Sequence, residues 1–196
     1  SSCCFAGDAG GFDAGSVAGV SVAAGAAASS FSFAAGPSSD FASDFASVAT
    51  SAFGSAGERC MAISVAVCVG EETANNVRDA VSEAASKLHV GPYTDSDSDF
   101  GPLSNQAHMT KVLSYIDKGV SEGADLVTDG RNLKLQGYEK GYFVGPCVFD
   151  NVTPDMTIYK EEIFGPVLGI VRSNSYADAL TLVDEHELGN GAALFT

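Results

Sequence analysis

ISVAVCVGEETANNVRDAVSEAASKL, residues 63–88, changes its hydrophobic period once, at Gly70, and that change decides the fold class. Before Gly70 the run is small or apolar and rich in valine, the grammar of a buried strand. After it, Val77, Val81 and Ala85 recur at four-residue steps, with Glu71 and Glu72 early and Lys87 late. That order suits an amphipathic helix running to Leu88, whose dipole favours anions at its start and cations at its end. A buried strand followed at once by a helix able to cover it predicts an α/β sheet.

The same grammar continues on both sides. Upstream, VATSAFGSAG (48–57) reads as the end of a helix packed close to neighbouring backbone. Downstream, GPYTDSDSDFGPL (91–103) is a loop, because Asp, Ser, Gly and Pro all favour non-repetitive backbone. Asn105 to Glu122 reads as a second helix with Val112, Tyr115, Ile116 and Val120 on one side, and ADLVTDG (124–130) as a strand. A hairpin-like region is expected from Leu133 to Phe149, then YKEEIFGPVLGIV (159–171), a helix in YADALTLVDEH (176–186) and a strand in AALFT (192–196).

Residues 1–45 are written differently. They are dominated by Ala, Ser, Gly and Phe, repeat a short unit into FASDFAS (41–47), and belong to a stretch without Lys or Arg up to residue 58. Such low-complexity sequence lacks the patterned apolar face that drives packing, so a disordered leader is expected there, with a domain over 46–196. The leader has neither the basic start of a secretory signal nor the arginines of a mitochondrial transit peptide.

With 196 residues, the chain is long enough for one domain plus a tail. Its 25 acidic against 10 basic residues give a net charge of −15, which argues against nucleic acid or an anionic membrane surface as a partner. No apolar run approaches the roughly 20 residues of a membrane-spanning helix. The cysteines at 3, 4, 60, 68 and 147 are odd in number and include no C-x-x-C pair, which fits neither a disulfide scaffold nor a structural zinc and points to a reducing compartment.

SAGERCMAIS (55–64) raises the chemical question, since Cys60 is either a small core hydrophobe or a nucleophile. Arg59 supplies positive charge next to it, and Ala56, Gly57 and Ala62 leave room for a substrate; both are conditions that a reactive thiolate needs. Cys68 and Cys147, each inside an apolar strand, read as core. His89, His108 and His186 fall at helix ends or on helix faces and read as surface residues rather than as a base or a metal set. In KEEIFGPV (160–167), adjacent Glu161 and Glu162 point to different sides of an extended segment, so that one can reach a site while the other stays solvated. Phe164 offers a flat face for a ring, and Gly165 and Pro166 turn the chain behind it.

Taken in order, FGSAGERCMA, DFGPL, GYFVGPCVFDNVTPDMTIYKEEIFGPV and GNGAALFT resemble the catalytic half of the aldehyde dehydrogenase superfamily, and within it the acylating methylmalonate-semialdehyde branch. The resemblance covers about residues 46–196 and implies a partial catalytic domain, with helices flanking a mostly parallel sheet. It implies that Cys60 attacks the aldehyde carbon, that the Cys60 backbone N–H helps to hold the oxyanion, and that Arg59 recognises the substrate carboxylate. Glu162 would hold the nicotinamide ribose and Phe164 would pack beside the nicotinamide. NAD is then the oxidant and coenzyme A the acyl acceptor for a small semialdehyde, with loss of carbon dioxide to propionyl- or acetyl-CoA. The branch further implies valine and thymine breakdown, a mitochondrial location (cytoplasmic otherwise) and a homo-oligomer.

Glu58 stands where the family commonly has Gln, which alters the charge beside the thiol. The family's cofactor domain, upstream Asn and Glu, and C-terminal oligomerisation segment are not found, so the chain is expected to be a family fragment. Its alternative role is that of a non-catalytic partner that keeps the catalytic-domain fold.

Overall fold

The Val-rich run forms the expected strand, β2 (Ile63–Val69), which buries Val65, Ala66, Val67 and Cys68. Gly70 then turns the chain at φ 87° into α2 (Glu71–Lys87), whose Ala74, Val77, Val81 and Ala85 are buried. The computed structural model describes residues 20–24, 48–189 and 191–195. The remaining described elements are β1 (Val20–Ala24), α1 (48–53), α3 (Gln106–Glu122), β3 (Asp125–Thr128), β4 (Cys147–Asp150), α4 (Thr157–Lys160), β5 (Val167–Ser173), α5 (Tyr176–Asp184) and β6 (Gly191–Phe195). A short 3-10 turn, Gly54–Gly57, follows α1.

Six strands make one sheet in the order β3-β4-β5-β2-β1-β6. The central β4, β5 and β2 run parallel, as the alternation of strand and helix predicts. Both flanks are antiparallel, β3 on β4 at one side and β1 between β2 and β6 at the other, so the sheet is mixed rather than mostly parallel. The core is built from inward residues of β2, β4 and β5, with Phe53, Phe149, Leu168 and Ile170 fully buried, and from the apolar stripe of α2 laid against them.

β1 lies within the stretch expected to be a structureless leader. Its VSV alternation is the period of a strand, and pairing with two neighbours satisfies its backbone without a long apolar face. The rest of that leader, with Cys3 and Cys4, lies outside the described residues.

Two other expectations change. No hairpin spans Leu133 to Phe149: turns and irregular backbone occupy 129–146, and the strand that follows, β4, pairs with β3 and β5 instead. On α3, Val112 and Ile116 are buried as expected, but Val120 is 45% exposed, because it lies at the rim of a stripe that narrows towards the helix end. Asn105 begins that helix as its N-cap, accepting from the His108 amide at 2.9 Å, and Gly123, left-handed at φ 101°, ends it.

One buried ion pair ties the layers together. Arg172 on β5 donates from Nε and Nη2 to both carboxylate oxygens of Asp150 on β4, at 3.0 and 2.6 Å, and reaches Glu71 and Asn75 on α2. Asp150 is 2% exposed, so this bidentate partner is what permits its burial. No helix among the described residues is long and apolar enough to cross a membrane.

Candidate active site

Cys60 sits at the corner of a tight turn, closed by the Ala62 amide donating to the Arg59 carbonyl at 3.0 Å. The corner exposes the side chain, whereas Cys68 and Cys147 are buried. Burial pushes both of those thiols up to about 12, with Asp150 adding to the rise at Cys68. They are therefore protonated and inert at neutral pH, as the sequence suggested.

The turn is reached through three consecutive left-handed residues, Ser55, Ala56 and Gly57, with φ of 54°, 56° and 70°. A side chain is disfavoured in this region by roughly 1–2 kcal/mol per residue, so the surroundings must enforce it. At Gly57 the reason is contact: a Cβ there would lie 2.0 Å from the Gly165 carbonyl oxygen. The Cys60 loop thus presses backbone to backbone against the loop that carries Glu162 and Phe164. Between them lies a cavity of about 310 Å³, bordered by Arg59, Cys60, Glu162 and Phe164 together.

Arg59 donates from Nε to the Gly54 carbonyl at 3.1 Å and from Nη2 to the Thr50 carbonyl at 3.2 Å. It therefore caps the carbonyl end of α1, a second task for a guanidinium with five donors. Glu161 and Glu162 both border the cavity and both are exposed, so neither is turned away as the alternation predicted. Their difference lies in anchoring, since the Glu161 carboxylate accepts from the Tyr115 hydroxyl at 2.5 Å. That bond holds the phenol proton, up to about 12.

Helix α3 supplies the anchors of this segment. Tyr115 holds Glu161, Lys111 donates to the Glu162 carbonyl at 3.5 Å, and His108 Nε2 lies 2.6 Å from the Phe164 carbonyl. Residues 108, 111 and 115 fall on one face of a helix. Phe164 is itself left-handed, at φ 58°.

His89 lies on the surface as expected, but His108 and His186 do not follow that expectation. His108 is only 16% exposed at its side chain, with Nε2 3.2 Å from Glu58 Oε1. His186 borders the cavity, bonded through Nε2 to the Tyr159 carbonyl at 2.8 Å. Neither signal was local in sequence, because each histidine meets a partner brought in by folding, 56 residues away for His108 and Phe164.

A cysteine on a tight turn, an aromatic ring and a carboxylate opposite it, and an arginine beside it suit attack on a small electrophile held next to a planar ring. The chain matches the family described as the aldehyde dehydrogenase family over residues 23–196. It is 49% identical over 160 residues to malonate-semialdehyde dehydrogenase of Pseudomonas aeruginosa, covering 82% of this chain and 32% of that protein. To the human mitochondrial methylmalonate-semialdehyde/malonate-semialdehyde dehydrogenase [acylating] it is 46% identical over 145 residues, covering 74% of this chain and 27% of that one. A crystal structure from Sinorhizobium meliloti 1021, assigned as a methylmalonate-semialdehyde dehydrogenase and complexed with NAD, superposes with a TM-score of 0.73 at 53% identity, covering 75% of this chain and 30% of that one. The chain thus spans about a quarter to a third of the length of the curated relatives it matches. With the match running from β1 to the end and these relatives well above the identity at which folds diverge, the chain belongs to the aldehyde dehydrogenase family.

Proposed function

We propose that the protein performs acylating semialdehyde oxidation, with Cys60 as nucleophile. The observation that carries this reading is that Arg59, Cys60, Glu162 and Phe164, from loops far apart in sequence, border one cavity. Sγ of Cys60 adds to the aldehyde carbon and the carbonyl oxygen becomes an oxyanion, for which the Cys60 backbone N–H is the donor. Arg59 draws the substrate carboxylate to the same wall through paired donors. When the oxyanion collapses, the aldehyde carbon loses its hydrogen and remains joined to Sγ as a thioester. The substrate carboxylate leaves as carbon dioxide and the carbon that carried it takes a proton from water, and the thiolate of coenzyme A attacks the thioester and frees Cys60.

NAD fits the donor set at its reacting end. Phe164 presents an aromatic face and Glu162 a carboxylate on the wall opposite Cys60, and about 310 Å³ accepts a nicotinamide and a small aldehyde. When bound, NAD takes the hydride from the aldehyde carbon. Glu162 would hold the ribose and Phe164 would pack against the ring; the rest of the dinucleotide needs surface beyond this cavity.

The plant and animal relatives carry mitochondrial names, which supports a mitochondrial location. The homo-oligomer is a reading for the full-length family, and whether this chain assembles is read by sedimentation velocity. The test of function is turnover of malonate semialdehyde with NAD and coenzyme A, followed as acyl-CoA by mass spectrometry. Acyl-CoA formation that Cys60→Ser abolishes is expected; formation that survives Cys60→Ser would end the reading.

A further inference from the structure

Glu58, His108 and the Phe164 carbonyl form a three-part bridge across the site. His108 Nε2 stands 2.6 Å from Phe164 O and 3.2 Å from Glu58 Oε1, and the same Glu58 oxygen accepts from the Ser104 amide at 3.1 Å. Nε2 carries a proton and donates it to the Phe164 carbonyl, while the Glu58 carboxylate stands beside the same nitrogen at ion-pair distance. The ring edge also meets the Phe164 ring, with centroids 6.2 Å apart at 65°. Side chains 16% and 17% exposed make this bridge partly shielded from water. A shielded, charge-assisted hydrogen bond is stronger than one in open solvent.

We propose that His108 is a positioning residue which, with Glu58, clamps the Cys60 turn to the Phe164 turn and so sets the access and orientation of the Cys60 thiol. Glu58 is two residues before Cys60, and Phe164 O belongs to the opposite wall of the cavity, so one imidazole spans the gap between the two walls. Both turns are left-handed at non-glycine residues, Ser55, Ala56 and Phe164, and each needs an outside constraint to persist. His108 supplies it from α3. The carboxylate of Glu58 is by the same contacts directed to His108 and Ser104, which accounts for an acid tolerated beside a nucleophile.

The consequence for catalysis rests on the acylating-oxidation reading, but the clamp itself is testable without substrate or NAD. Alkylation of Cys60 by iodoacetamide in the full chain is followed by mass spectrometry, with buried Cys68 and Cys147 as internal reporters of folding. His108→Ala and Glu58→Ala are each expected to raise the Cys60 rate several-fold with Cys68 and Cys147 still protected. The double variant is expected to match either single one, and His108→Gln, which restores an N–H donor, to recover most of the original rate. Unchanged rates in both single variants, additive effects in the double variant, or no recovery with His108→Gln would overturn the clamp. Should the variants label at all three cysteines, the unaltered chain decides: the ring nitrogen NMR spectrum of His108 is expected to show a protonated Nε2 in slow solvent exchange. A neutral Nδ1–H tautomer would overturn the proposal. Coupled labelling without acyl-CoA formation would remove the dehydrogenase reading and leave the clamp standing.

Discussion

At the scale of single residues, the site depends on how closely two backbones approach. Gly57 is left-handed and has no room for a Cβ against Gly165, so Gly57→Ala faces both a conformational cost of about 1–3 kcal/mol and a steric one. Its urea midpoint is expected to fall accordingly, and Cys60 to lose its cavity wall; an unchanged midpoint would mean that the loops do not touch. Cys60, Arg59, Glu162 and Phe164 could be singled out from sequence because the motifs that hold them resemble a known family, whereas residue types alone left Cys60 between a core hydrophobe and a nucleophile. His108 could not. Its part in the site comes from Glu58 and Phe164, which no spacing rule connects to a histidine on a helix face. Arg59 was read for its charge beside the thiol and, by resemblance, for a substrate carboxylate, while its bonds to the Thr50 and Gly54 carbonyls depend on where α1 ends.

At the scale of elements, α3 is the scaffold of the segment 161–164, and Tyr115 is its measurable anchor. The Tyr115 phenol is held up to about 12 by its bond to Glu161, against an ordinary 10. A raised value means that the bond stabilises the fold fully below pH 10 and is lost as pH climbs through 12. Tyr115→Phe is expected to cost about 0.5–1.5 kcal/mol at neutral pH by urea denaturation, and to cost nothing once the phenol of the parent protein has ionised. An equal deficit at high and neutral pH would count against the bond. Helices α2 and α3 and strands β2 and β3 were legible because their apolar periods are regular over several turns or residues. β1 was not, since its short alternation is submerged in Ala, Ser and Gly and only partners distant in sequence make it a strand. The region 129–146 misled for the opposite reason: glycines and aromatics alternate as in a hairpin, but its backbone groups bond within turns, as Tyr138 to Leu135 and Gly141 to Tyr138 do.

At the scale of the whole molecule, the sheet is bound to α2 through a charge that cannot be left alone. Removing Arg172 leaves Asp150, at 2% exposure, with only the Asn151 amide at 2.7 Å and Arg78 at 3.8 Å, so Arg172→Ala is expected to cost about 3 kcal/mol, read as a cooperative urea transition moved to low denaturant. A loss below about 1 kcal/mol would show that the pair is wet and merely superficial. The same scale sets the main question of function, because the chain spans about a quarter to a third of its curated relatives yet brings four motif residues to one cavity. The direct test is alkylation of the purified chain at neutral pH with mass-spectrometric mapping of Cys60, Cys68 and Cys147, with and without NAD. Cys60 labelled well ahead of the two buried thiols, and at a rate that NAD changes, is expected if the site is assembled. Equal labelling of all three, indifferent to NAD, would contradict it.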